Sequence, residues 1–142
     1  MTKREKSYAA PDRFAASRAA DASPVDLICL KRIASEANER VAELVDYYLQ
    51  VTRGQLKKID RAVRRRSGAE VKSLAHSCIG ASTLLGMRAI VIPLRRLESL
   101  GIHGEWDRAR EATAEAWREL ELMKSFIKSA ADGEANAQST RR

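Results

Sequence analysis

The segment from Ala75 to Met87, AHSCIGASTLLGM, places a single histidine inside a helical pattern. At roughly 100° per residue, the apolar and small residues from Val71 to Leu85 gather on one stripe, as in an amphipathic helix. His76 falls roughly opposite that stripe. The same outward face holds three further residues, Lys72, Gly80 and Thr83. The segment therefore predicts a helix that carries an exposed imidazole beside a residue without a side chain.

An exposed imidazole on this face suits nucleophilic chemistry. A neutral imidazole keeps a lone pair on one ring nitrogen and is a competent nucleophile. Glycine within a helix costs ~1 kcal/mol relative to alanine, so Gly80 needs a reason on a face that requires no close packing. Space for a bulky group on His76 is one such reason.

The spacing around His76 resembles the histidine phosphotransfer (HPt) domain. The signature of that family is a helical His, a Gly four residues later, small residues next and a second Gly at ten. The matching residues here are His76, Gly80, Ala81 with Ser82, and Gly86. The resemblance continues at Leu97 and Glu98, where the family has Leu or Ile and then Glu or Gln, and it covers about residues 24–131.

This resemblance implies a phosphocarrier rather than an enzyme. His76 would accept a phosphoryl group from a phospho-Asp of a receiver domain and pass it to another receiver domain. The implied partners are response-regulator receiver domains and a hybrid sensor histidine kinase. The chain itself would bind no cofactor, because the receiver supplies Mg²⁺. Glu98 would orient His76 by accepting a hydrogen bond from the ring.

One departure from the family pattern concerns charge. The family commonly has Lys three residues after the His, where this chain has Ile79. Lys72 and Arg88 are the candidates for supplying positive charge instead.

Two further expectations concern the surface around His76. Ile79 and Thr83 are expected to form an exposed docking surface. Three small residues are expected to shape the site, namely Gly80, Ser82 and Gly86.

Composition favours an all-α protein with one domain. The chain has 142 residues with only 7 Gly and 3 Pro, and aromatic residues make up 5%, which is typical of helical proteins. We predict an antiparallel four-helix bundle with a short additional N-terminal helix over residues 24–131. Residues 1–23 are expected to be a flexible arm and residues 132–142 a flexible tail.

Capping and turn residues predict the helix limits. Ser23 and Pro24 mark the first start, Ser67 to Glu70 has the pattern of a capping box, and Gly86 and Gly101 mark two ends. The predicted helices span about 24–35, 36–65, 67–85, 87–100 and 106–131.

Apolar residues recur every three or four positions in two of these helices. The stripe of the second helix is Val41, Leu44, Val45, Tyr48, Val51, Gln55, Ile59 and Val63. The stripe of the last helix is Trp106, Ala109, Thr113, Ala116, Leu120, Met123 and Ile127.

No apolar run approaches the about 20 residues that a membrane helix needs. The N-terminus also lacks the apolar core of a secretory signal. We therefore expect no membrane insertion and a cytoplasmic location.

The sequence also bears on three rival functions. The net charge of +7 and the run from Arg64 to Arg66 suggest a nucleic-acid binder. This function is disfavoured, because the basic residues are interleaved with acidic ones and the sequence lacks a cluster of aromatic residues that could stack on bases.

A metal site is excluded for one pair of candidate ligands. His76 and Cys78 point to opposite sides of a helix and cannot chelate one metal ion. Cys29 and Cys78 are expected to be reduced thiols. A helical module that binds a kinase or receiver without being phosphorylated stays open because of Ile79.

Overall fold

The described part of the chain is all-α. The computed structural model describes residues 23–140, with side chains through residue 133, so the expected arm lies almost wholly outside the described residues. Five helices follow one another, and no strand occurs among these residues. They are α1 (Leu27–Glu36), α2 (Val41–Arg64), α3 (Gly68–Leu84), α4 (Arg88–Ile102) and α5 (Trp106–Thr140).

The four long helices form a closed bundle. α3 packs against α2 and α4, and α5 packs against α4 and α2, while α1 packs against α2. The short turns 65–67, 85–87 and 103–105 join the long helices, so consecutive helices run antiparallel. The prediction of a four-helix bundle with a short additional N-terminal helix is confirmed.

The core is built from one stripe of each helix. The largest fully buried side chains come from all five helices and the segments beside them, and they include Leu30, Leu56, Ile59, Met87, Ile90, Leu94, Leu97, Leu120 and Met123. The stripe predicted for the last helix is confirmed from Ala109 to Met123. In α2 the prediction was wrong at Val51, which is exposed, because the buried face steps by four residues from Tyr48 to Thr52 and then to Leu56.

The start of α1 differs from the prediction. Asp26 caps this helix, since its side chain accepts a hydrogen bond from the Cys29 amide at 3.1 Å. Ser23 instead bonds the Val25 carbonyl at 2.7 Å. The Pro24 carbonyl accepts from the amide of Arg88 at 2.9 Å. Residues 23–26 therefore attach the N-terminal end of the bundle to the turn between α3 and α4.

Two other predicted helix ends were wrong, and one predicted capping box does not form. Ser67 is the N-cap of α3, as predicted, but its side chain makes no capping hydrogen bond, and Glu70 pairs with Arg65. Gly101 lies within α4, and Gly104 is the residue of the following turn with positive φ, +70°. α5 continues through Thr140, beyond the expected end at residue 131.

Two glycines allow α3 and α4 to approach closely. A Cβ on Gly68 would lie 2.5 Å from the Gly101 carbonyl oxygen, and a Cβ on Gly101 would lie 3.0 Å from Cγ1 of Val71. A side chain at Gly68 would therefore clash with the backbone of α4, and one at Gly101 would force the buried Val71 side chain to shift. This contact fixes how α3 and α4 face each other.

The helices within residues 23–140 are also unlike membrane spans. None of them combines the length and the apolar character needed to cross a bilayer.

We predict that Gly68→Ala lowers the free energy of unfolding by about 1 to 3 kcal/mol, because the backbones of α3 and α4 must move apart. Gly54→Ala in α2 is the matched control. Nothing lies within 4 Å of a Cβ at Gly54, so alanine should stabilise that helix by up to ~1 kcal/mol. Urea denaturation measures both effects, and a stabilising Gly68→Ala would contradict the close contact.

Candidate functional site

His76 and Glu98 form a pair across the surface between α3 and α4. The Nδ1 atom of His76 lies 2.9 Å from Oε2 of Glu98. The His76 side chain is 80% exposed, whereas that of Glu98 is 25% exposed. A carboxylate accepts in such a contact, so Nδ1 is the donor, and in the neutral ring Nε2 then carries the lone pair. The pair therefore presents an oriented nucleophile on an accessible ring.

Buried neighbours hold both members of this pair. Ala75 precedes His76 and Leu97 precedes Glu98, and both of these neighbours are fully buried. Each member of the pair thus follows directly on a residue fixed in the core. Because Gly68 and Gly101 set the separation of the same two helices, the hydrogen bond forms between packed elements rather than between mobile loops.

The space beside His76 on α3 is open. Gly80 lies one turn after the histidine, and nothing lies within 4 Å of a Cβ built there. Lys72 and Thr83 are also exposed on this helix, as the helical pattern predicted. The surface around His76 can therefore accept an added group or an approaching partner.

Two residues expected at this surface are engaged elsewhere. Ile79 lies only about 60° from His76 around α3, but it is buried because α4 packs closely against that side of the helix. The expectation of an exposed Ile79 in a docking surface was wrong. Arg88 is half-buried, and its guanidinium donates to Oγ of Ser23 at 3.0 Å, so it attaches the segment before α1 to the bundle.

Two of the small residues act inside the protein. Ser82 is fully buried, and its hydroxyl lies 2.7 Å from that of Tyr48. Gly86 ends the turn after α3 with φ +80°, the left-handed conformation expected from its position, and a Cβ there would lie 2.9 Å from the Asp26 carbonyl oxygen. Ser82 and Gly86 therefore do not line the surface around His76.

Sequence reasoning missed the apolar side chains that this part of the surface does expose. Leu84 is exposed at the end of α3, and Ile92 and Ile102 are exposed on α4. A signal was available for Ile92, because it lies outside the stripe formed by Ile90, Leu94 and the residues that follow.

The thiol and phenol groups of the core are neutral at physiological pH. Burial raises the pKa of Tyr48 to about 12, although the hydrogen bond from Ser82 acts to lower it. Burial raises the pKa of the Cys78 thiol to about 11. Cys29 and Cys78 are both free thiols. Within the described residues, no group of three or more His, Cys, Asp or Glu side chains could hold a metal ion.

The fold has a counterpart among solved structures. The crystal structure of histidine-containing phosphotransfer protein B (HptB) from Pseudomonas aeruginosa PAO1 superposes with a TM-score of 0.69 at 20% sequence identity, covering 77% of this chain and 95% of that one. No family model matches the sequence, and no curated protein matches it significantly. The chain therefore has the fold of an HPt domain, as the spacing around His76 predicted.

We predict that stability falls steeply between pH 9 and 12. The ordinary pKa values of tyrosine and cysteine are 10.0 and 9.0, so the unfolded chain loses these two protons before the folded chain does. The free energy of unfolding should fall by about 3 kcal/mol for each group.

Tyr48→Phe isolates the contribution of the tyrosine. It should cost about 1 to 2 kcal/mol at pH 7, because it removes a buried hydrogen bond, and it should remove about half of the alkaline loss. Tyr47 is exposed, so Tyr47→Phe is the control. Urea denaturation at pH 7 to 12 gives both numbers, and equal alkaline losses in the two variants would refute the assignment.

Proposed function

We propose that this chain is a histidine-containing phosphocarrier that takes a phosphoryl group from a receiver-domain phospho-Asp and passes it to another receiver domain. The observation that carries the proposal is the His76–Glu98 pair, in which a carboxylate fixes Nδ1 as the donor while the ring stays exposed. The HPt fold supports the same function.

The transfer step needs only an oriented nucleophile from this chain. The Nε2 lone pair of His76 attacks the phosphorus atom, the N–P bond forms, and the bond from phosphorus to the aspartate oxygen breaks, releasing a carboxylate. The ring becomes positively charged, and the Glu98 carboxylate that accepts from Nδ1 offsets this charge. The reverse step, on a second receiver, breaks the N–P bond and restores the neutral imidazole.

The proposal assigns the other catalytic groups to the partner. Phosphoryl transfer depends mainly on positioning and on charge stabilisation, and an open, exposed site on a helix cannot exclude water by itself. The receiver domain is expected to supply Mg²⁺ and to cover the site when it docks. In this account the chain acts as a carrier and binds no cofactor of its own.

The docking surface we propose surrounds the pair on α3 and α4. Its apolar part is Leu84, Ile92 and Ile102, which are exposed on these two helices, and Thr83 adds a polar contact. Exposed apolar side chains within a polar surface are typical of sites where another protein binds. The net charge of +7 would favour encounter with an acidic receiver, including one joined to a hybrid sensor histidine kinase.

Lys72 is proposed to contribute charge to this surface. It is exposed one turn before His76, and no described residue forms an ion pair with it. Its ammonium group would attract the phosphorylated aspartate as the receiver approaches.

The experiment that tests the function is phosphoryl transfer to the purified chain. A panel of radiolabelled phospho-receiver domains with Mg²⁺ should label the wild type, and His76→Gln should remove the label entirely, because glutamine has no nucleophilic ring nitrogen. His103→Gln is the matched control, since His103 is also exposed and bonds only within its own turn, to Ser99. The label should resist alkali and be lost in acid.

Labelling of His76→Gln would show that another residue accepts the group. Binding of a receiver without any transfer to the wild type would instead support a module that docks without being phosphorylated.

We predict that Gly80→Ala separates stability from function. Alanine should raise the free energy of unfolding by about 0.5 to 1 kcal/mol, and its methyl group should slow transfer about tenfold or more by occupying the space beside His76. Gly54→Ala should give the stability gain alone. Thermal melting and transfer rates on the two variants measure this, and normal transfer by Gly80→Ala would show that the space is not used.

A further inference from the structure

Arg95 lies on α4 close to the His76–Glu98 pair, and we propose that its guanidinium binds the phosphoryl group carried by His76. This inference rests on the phosphocarrier function proposed above. The cation at the site would then come from α4, at the position three residues before Glu98. It would not come from the position of Ile79 on α3, where the HPt family commonly has Lys.

The site needs a cation once it is phosphorylated. A phosphoryl group carries a charge of about −1.5 to −2 near pH 7, and it would sit on the same ring that already contacts the carboxylate of Glu98. Two negative groups on one imidazole repel each other. A cation close to Nε2 would offset this repulsion both in the phosphorylated protein and while the N–P bond forms.

The other basic residues of α4 are occupied. The Arg88 guanidinium donates to Ser23 at 3.0 Å, and Arg96 pairs with Glu115 on α5. Arg95 is exposed, and no described residue pairs with it. Ile79 cannot contribute, because its side chain is apolar and buried.

The register of the two helices places Arg95 beside the histidine. Gly101 faces Val71 and Glu98 contacts His76, so residues earlier in α4 lie opposite residues later in α3. Arg95 therefore lies at the level of residues 77–79. At about 1.5 Å per residue this is within about 5 Å of His76 along the bundle, a separation that an arginine side chain can span.

The orientation of α4 about its own axis places Arg95 on the exposed side of the helix, toward His76. Glu98 reaches α3 and Arg96 reaches α5, so these two contacts define the two edges of the exposed face of α4. Arg95 lies between them, roughly 60° from Glu98 and roughly 100° from Arg96. It is therefore on the outward surface nearer to His76, next to the open space at Gly80.

Arginine has the chemistry that this position requires. Its guanidinium stays protonated and offers parallel N–H donors that match two oxygens of a phosphoryl group. Lys72 lies a turn before His76, on the side of the ring away from Gly80, and presents only a point charge. We therefore assign the direct contact to Arg95.

The test uses phosphoramidate, a small donor that phosphorylates histidine without a receiver domain, on the full chain. Arg95→Gln should slow the formation of phosphohistidine about tenfold or more, and the ³¹P resonance of the product should shift. Arg95→Lys should restore part of the rate. Arg118→Gln, which removes an exposed charge on α5, should match the wild type within about twofold, because screened charges far from the site contribute little.

The outcomes distinguish this inference from the function on which it rests. The role of Arg95 is overturned if the wild type is labelled on His76 while Arg95→Gln equals Arg118→Gln in phosphorylation rate and in ³¹P resonance. The phosphocarrier function would then stand. A wild type that accepts no phosphoryl group from phosphoramidate or from any receiver overturns both. Circular dichroism melting should be the same for all three variants, so that a loss of folding cannot account for a lower rate.

Discussion

The separation of α3 and α4 at Gly68 and Gly101 is the constraint on which the rest of the site depends. A Cβ at Gly68 would clash with the backbone of α4, and a Cβ at Gly101 would press on the Val71 side chain. Glycine at both positions therefore lets the helices lie close enough for Glu98 to reach Nδ1 of His76 at 2.9 Å. That bond favours the proton on Nδ1 and leaves the lone pair of the neutral ring on Nε2. The packing of α3 against α4 thus sets the geometry of the His76–Glu98 pair at the surface.

The protein separates a rigid interior from a reactive exterior. Beneath the site, Tyr48 and Ser82 satisfy each other by a buried hydrogen bond, and Cys78 remains a neutral thiol. At the surface the only groups that the proposed transfer uses are the imidazole, its carboxylate partner and nearby cations. The proposed carrier function would benefit from this arrangement, because a carrier must present the same ring geometry to each receiver domain that it meets.

The sequence was informative wherever periodicity and spacing carry the signal. The helical pattern from Val71 to Leu85 predicted the exposed face of α3, and the fold followed from the residues around His76. Contacts between distant segments were not predictable in the same way. The bond from Arg88 to Ser23 joins residues far apart in the chain, and the burial of Ile79 depends on how closely α4 approaches. Gly101 similarly looked like a helix end, because a glycine needed for packing and one needed for a turn are identical in sequence.

We predict that Glu98 fixes the proton on Nδ1 of His76 and leaves Nε2 to accept the phosphoryl group. Long-range ¹H–¹⁵N NMR on ¹⁵N-labelled protein, before and after treatment with phosphoramidate, tests it most directly. The account predicts a proton on Nδ1 of His76 in the free protein and phosphorus bonded to Nε2 in the product. A free ring protonated only on Nε2, or phosphorus bonded to Nδ1, would contradict it.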